Sequence, residues 1–129
     1  MSIQVPPEDL AETLRGFGGA YLVTVGGDGR AHIVAVAPVL GEAGLRLGSA
    51  GRTTRRNLEG NSVVSLVWPP LEPGGHSLIA DGTASLGDDE LIVRLTRAVL
   101  HRPAPAVPAA PGPGEADGGC EADCHEVRL

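Results

Sequence analysis

Apolar and polar positions divide this chain into short elements separated by glycine- and proline-rich turns. Pro6-Pro7-Glu8-Asp9 precedes Leu10, Leu14 and Phe17, a helical spacing with acidic residues in its first turn, and Gly16, Gly18 and Gly19 stop it. Ala20 to Val25 is rich in β-formers and ends at Gly26-Gly27-Asp28-Gly29, after which an apolar run resumes from Ala31 to Leu40, a hairpin pattern. Gly41-Glu42-Ala43-Gly44 marks the next turn before Leu45-Arg46-Leu47, so the first three strands are expected to form a meander. A helix of about two turns is predicted from near Thr53, with Gly60 or Asn61 as its left-handed stop.

The second half continues in the same style. Ser62 to Trp68 reads as a strand broken by Pro69-Pro70, and His76 to Leu86 as another, in which Gly82 signals a bulge or a sharp bend. Leu91 to His101 fits both periods: Leu91, Val93 and Leu95 alternate, while Leu91, Leu95, Ala98 and Val99 suit a helix. Its Ile, Val and Thr content and the turn at Gly87-Asp88-Asp89 favour a strand hairpinned to its predecessor. Six short strands and one or two short helices predict a mainly β protein, a six-stranded antiparallel barrel. There is no G-x-G-x-x-G after a strand, no Walker loop and no βαβ alternation, which argues against nucleotide binding by those routes.

Composition sets the limits of that domain. From Pro103 to Gly119 the chain is Pro, Ala and Gly with little else, too poor in apolar bulk to offset the cost of ordering, so residues 1–102 are expected to fold and 103–129 to form a tail. The net charge is −6, and the basic residues are arginines without a single lysine; no broad basic face is available for nucleic acid. No stretch reaches the roughly 18 apolar residues of a membrane helix, and the N-terminus lacks a basic segment followed by an apolar one. The expectation is a soluble, cytoplasmic protein that engages neither nucleic acid nor membrane.

Against this acidic background, positive charge gathers in one place. Arg52, Arg55 and Arg56 share eight positions with Ser49, Thr53 and Thr54, between the strand residues Leu45 and Leu47 and the run Val63 to Trp68. Arginine forms bidentate, charge-assisted bonds to phosphate oxygens, and hydroxyls add neutral donors, so the segment reads as a phosphate cradle; the plainer alternative is a solvated loop and first helical turn.

Four stretches taken in order resemble a known family: Leu22-Val23-Thr24-Val25 with Gly27-Asp28-Gly29-Arg30-Ala31-His32, then Arg52 to Leu58, then Val63 to Val67, then Asp81-Gly82-Thr83-Ala84. Together they resemble the FMN-binding split-barrel family typified by pyridoxamine 5′-phosphate oxidase and its deazaflavin-using reductase relatives, over roughly residues 10 to 101. The resemblance implies a six-stranded split barrel, usually a homodimer, with the cofactor in a groove at the subunit interface. It implies Arg52 as the basic phosphate ligand, Ser49, Thr53 and Thr54 as hydroxyl donors, and the first helical amides as further donors. The family often carries lysine or arginine where this chain has Thr54, a missing charge that Arg55 could supply. The ring system would lie along Val34-Ala35-Val36, with His32, Trp68 and His76 as candidates for the ring or substrate pocket. From the residues themselves Trp68 reads first as core or dimer packing, and His32 first as a surface or hydrogen-bonded histidine, with the pocket as the alternative for each. The substrate-phosphate arginine and histidine of true pyridoxamine phosphate oxidases have no match near the C-terminus, which argues against that activity.

The expected function is therefore an FMN-binding oxidoreductase acting on a small molecule, with the deazaflavin coenzyme as the alternative cofactor and a non-catalytic ligand-binding protein as the alternative role. The catalytic residues stay unassigned, since the cofactor supplies the hydride chemistry. No metal is expected in the barrel. Cys120, Cys124 and His125 could supply three zinc ligands, form a redox pair, or remain free thiols. Their acidic neighbours Glu121, Asp123 and Glu126 disfavour the thiolate and so argue against a reactive nucleophile.

Overall fold

Leu22 and Thr24 point inward from a strand whose alternate residues Tyr21 and Val25 stay exposed, and this two-residue rhythm governs most of the molecule. The computed structural model describes residues 2–87 and 89–104, and Cys120, Cys124 and His125 lie outside the described residues. The elements are β1 (Ser2–Gln4), α1 (Leu10–Leu14), β2 (Ala20–Val25), β3 (Ala31–Val36), β4 (Val39–Gly41), β5 (Gly44–Arg46), α2 (Arg52–Gly60), β6 (Val63–Trp68), β7 (Ser77–Leu86) and β8 (Leu91–His101), with a 3-10 turn at Pro7–Asp9. All strand pairs are antiparallel, in the order β3-β2-β6-β7-β8-β5-β4, and β1 pairs with β8. Among the described residues no helix is long and apolar enough to cross a membrane.

The mainly β split barrel expected from the sequence is what forms, with eight strands instead of six. One extra strand is β1, three exposed residues held by register with Val99, Leu100 and His101. The other arises because the run Ala31 to Leu40 is not one strand. It breaks at Ala37 and Pro38 into β3 and β4, since proline lacks an N–H for the ladder. The expected meander is corrected accordingly: β2 pairs with β3 and β4 with β5, but these hairpins occupy opposite ends of the sheet. The left-handed helix stop is also corrected. Asn61 is extended, with φ −154°, and Gly60 is not among the glycines with positive φ.

The segment 91–101 is a strand throughout, and Gly82 sits at an irregularity. Asp81 pairs with Arg97 but Gly82 with Leu95, which leaves Thr96 as the extra residue of a bulge, its Oγ1 donating to the Asp81 carbonyl oxygen at 3.1 Å. Glycine is required there because a Cβ would run into the Arg94 carbonyl oxygen and meet Val93 Cγ1 at 3.0 Å. Asp81 in turn accepts from Ser65 Oγ at 2.7 Å and pairs with Arg97 Nη1 at 3.3 Å on the outer face.

Inside the curl lie Leu22, Leu45, Leu66, Trp68, Leu78, Ala80 and Val93, all buried. From α2, Leu58 joins this core, while Asn57 donates through Nδ2 to Thr24 Oγ1 at 3.1 Å, both residues being buried. That bond fixes the helix against β2, and Gly26 makes room for it: a Cβ there would approach Asn57 Oδ1 to 3.1 Å.

Two stability outcomes follow. Gly82→Ala is expected to destabilise the protein by about 1–3 kcal/mol, the usual cost of forcing atoms into a packed site; an unchanged denaturant midpoint would show that β8 yields freely at the bulge. Thr24→Val should cost about 1–3 kcal/mol by stranding the Asn57 amide, and Thr24→Val with Asn57→Leu should cost less than the sum of the two single changes. Strict additivity in the same unfolding measurements would deny the coupling.

Candidate functional site

The chain leaves β5 through Leu47, whose N–H donates to the Leu91 carbonyl at 2.9 Å, and Gly48, whose carbonyl accepts from Leu91 N–H at 2.8 Å. Gly48 has φ +77°, in the left-handed region, and this turns the backbone off the β8 edge into Ser49, Ala50 and Gly51. α2 then starts at Arg52 without a side-chain cap from Gly51. Free N–H groups at a helix start suit an anion.

This loop and helix start face β3 across the opening of the barrel and enclose a cavity of about 510 Å³. Ser49, Arg52, Thr53 and Thr54 line it from one side, and His32, Val34, Ala35 and Val36 from the other. Its remaining surface is apolar: Leu22, Leu47, Ala50 and Leu91. Among the described residues β3 ends the sheet and pairs only with β2. Its second edge therefore carries backbone donors and acceptors with no strand opposite, beside the cavity.

The polar groups differ in how far they are committed. Arg52 is exposed and forms no hydrogen bond or ion pair with another described residue; Thr53 is half-buried and Thr54 buried. Arg55 is engaged elsewhere. Its Nε donates to the Ala50 carbonyl at 3.1 Å, bracing the loop against the helix, and it is not among the cavity-lining residues. Among the described residues no aspartate or glutamate lines the cavity, although the whole chain carries −6. Arg52 and His32 thus face no neutralising carboxylate of a described residue there.

Two candidates are not brought to the cavity. Trp68 follows Val64 and Leu66 on the inward face of β6, only 2% exposed, in register with Leu78. His76 is half-buried, just before β7, on the far side of the Pro69–Gly75 loop from Trp68. Conversely, reasoning from sequence did not find the apolar floor. Leu47 and Leu91 meet only through the β5–β8 pairing, a contact between distant segments that no local pattern announces. A second groove of about 1020 Å³, between the N-terminal segment and the β4–β5 turn, holds Glu8, Glu42, Arg94 and Arg97 and none of the candidate residues. Among the described residues no group of three or more His, Cys, Asp or Glu could hold a metal ion.

Comparison with solved structures identifies the architecture. A FAD-binding protein from Mesorhizobium loti superposes with a TM-score of 0.61 at 13% identity, over 77% of this chain and 94% of its own. An F420 reductase gives 0.50 at 20% identity over 72% and 93% of the two chains, and HutZ, the heme storage protein from Vibrio cholerae, gives 0.50 at 18% over 78% and 91%. At such identities the likeness shows the split-barrel fold alone. No protein-family model matches the chain. Two mycobacterial proteins are much nearer in sequence: the uncharacterized proteins Mb0449c of Mycobacterium bovis and MT0457 of Mycobacterium tuberculosis, each 41% identical over 131 residues and 89% of both chains. At that identity and coverage, the chain belongs to the family of these mycobacterial proteins, built on a split β-barrel.

Proposed function

We propose that this protein binds a phosphorylated flavin-type cofactor, FMN or the deazaflavin coenzyme, in the cavity between β3 and α2, and uses it as an oxidoreductase on a small molecule. The observation that carries the reading is the convergence of a helix start bearing Arg52, which has no partner among the described residues, with an edge strand whose second edge pairs with no described strand and faces the same cavity. The phosphate is assigned to Arg52 with Ser49, Thr53 and Thr54, and the ring to the edge formed by Val34, Ala35 and Val36. A cavity of about 510 Å³ is within the roughly 300–1,000 Å³ range of small-ligand sites.

When bound, such a cofactor supplies hydride chemistry. The chain's own residues then have three tasks. Arg52 and the hydroxyls hold the anion, the β3 edge orients the ring, and Leu22, Leu47 and Leu91 keep one side of the cavity dry. Arg55, tied to Ala50, preserves the shape of the loop in this reading and does not complete the phosphate clamp. Residues 1–102 are taken as the binding domain and 103–129 as a tail outside it. The fold neighbours support a cofactor-binding role, since they include a FAD-binding protein and an F420 reductase.

A second copy is part of the proposal. Tyr21, Val25, Ile33 and Val63 lie 46%, 36%, 59% and 57% exposed on the outer face of three neighbouring strands, an apolar patch of the kind proteins cover. A homodimer would bury it and wall the cavity from the β3 side. A second reading, a carrier that binds the cofactor without turnover, is favoured by the absence of any carboxylate among the described residues lining the cavity and by the plain apolar side chains of β3; one of the fold neighbours is a heme storage protein.

Arg52→Ala is expected to weaken FMN or deazaflavin binding by about 1.5–3 kcal/mol, the loss of a charged hydrogen bond, in a fluorescence titration. Unchanged affinity would remove the cradle. Reduction and reoxidation of the bound cofactor with a small-molecule acceptor separates the enzyme from the carrier. For the second copy, sedimentation equilibrium should give a dimer that Ile33→Asp converts to monomer; a monomeric wild type at tens of micromolar would contradict the assembly.

A further inference from the structure

The cavity has a second polar point that the phosphate cradle does not use. His32 is half-buried in its wall, and no hydrogen bond or ion pair joins it to another described residue. Among the described residues it is, with Arg52, one of two basic side chains lining the cavity, and no acidic one lines it.

The two stand apart. His32 is in register with Thr24 on the inward face of the β2–β3 hairpin, and Thr24 is the residue to which Asn57 is bonded. Asn57 lies well along α2 from Arg52, about 7 Å in axial rise for the intervening residues. Apart from the hydroxyls of Ser49, Thr53 and Thr54 beside Arg52, the described lining is apolar, with Leu22, Val34 and Leu91 among it. The lining is therefore bipolar in its donors: Arg52 with the hydroxyls of Ser49, Thr53 and Thr54 on the loop and helix start, and a lone imidazole on β3, in otherwise apolar surface. Neutral or charged, imidazole retains at least one N–H to donate.

We propose that His32 is the specificity-determining residue of this cavity, donating a hydrogen bond to an acceptor on the end of the ligand remote from its phosphate. The ligand class is thereby narrowed to phosphate esters with an apolar or planar middle and a carbonyl-type acceptor at the far end. A short phosphorylated compound would reach only Arg52 and forfeit the second contact. The inference rests on the reading that the phosphate docks at Arg52, and its test keeps the two separable.

Binding of FMN and of the deazaflavin coenzyme would be measured for the full chain by fluorescence, and inorganic phosphate would be titrated as a competitor. The wild type, His32→Ala, His32→Gln, Arg52→Ala and the double variant would be compared. His32→Ala should weaken the bound cofactor about three- to tenfold, as loss of one uncharged hydrogen bond does, and leave the phosphate affinity unchanged. Arg52→Ala should weaken both, and the double variant should lose the product of the two factors, because the contacts are independent. His32→Gln, which keeps an N–H donor, should recover most of the loss, and it decides the matter if the alanine variant melts early. If His32→Ala leaves cofactor affinity intact while Arg52→Ala reduces it, this inference fails and the cradle stands. If His32→Ala weakens phosphate equally, the imidazole belongs to the anion end and the bipolar assignment is overturned. An Arg52→Ala variant with wild-type affinity for both probes sinks the cradle, and a wild type that binds neither cofactor sinks both readings.

Discussion

Ala37 and Pro38 alone separate the strands that end the sheet on its two sides. From Val36 to Val39 the backbone spans at most about 11 Å, so β3 and β4 cannot sit at the far edges of a flat sheet. The sheet must curl until its first and last strands are neighbours, and proline keeps the join from becoming another ladder pair. The barrel is thus closed by the chain but open in hydrogen bonds. Around that curl Leu22, Leu66, Leu78 and Val93 fill the interior, and the bulge at Gly82 lets the long β7–β8 pair bend with it.

The opening has a consequence for function. An edge strand beside a covalent join leaves backbone groups unpaired, and the segment after β5 reaches across to them, carrying Ser49 and the start of α2. Leu58 in the core and the buried Asn57–Thr24 bond hold that helix to β2, so the side chains at its first turn inherit a fixed position from residues further along it. Arg55 does the same for the loop through Ala50. Arg52 is left as an arginine with a cavity in front of it and no described partner.

Much of this was legible from local pattern because local physics decided it. The hairpin at Gly26 to Gly29, the bulge at Gly82 and the strand at 91–101 each follow from turn chemistry, missing side-chain bulk or β-branched content. What escaped was decided by partners distant in sequence. Ala31 to Leu40 looks continuous until one knows that its halves serve opposite ends of the sheet. β1 has no apolar alternation and exists because β8 offers it an edge. The site divides in the same way. The arginine–hydroxyl segment announced itself by charge and spacing, whereas the Leu47–Leu91 floor depends on how strands pair. Trp68, read from the sequence first as core or dimer packing with the ring pocket as the alternative, takes the core position that the inward rhythm of β6 gives it.

The central claim is that the gap in this barrel is a cofactor site. Titrating the purified protein with FMN, and separately with the deazaflavin coenzyme, while following absorbance and fluorescence, tests it most directly. The account predicts saturable binding of one of them well below tens of micromolar. If neither binds at tens of micromolar, the interaction is weaker than about −6 kcal/mol, and the cavity between β3 and α2 is not a flavin site.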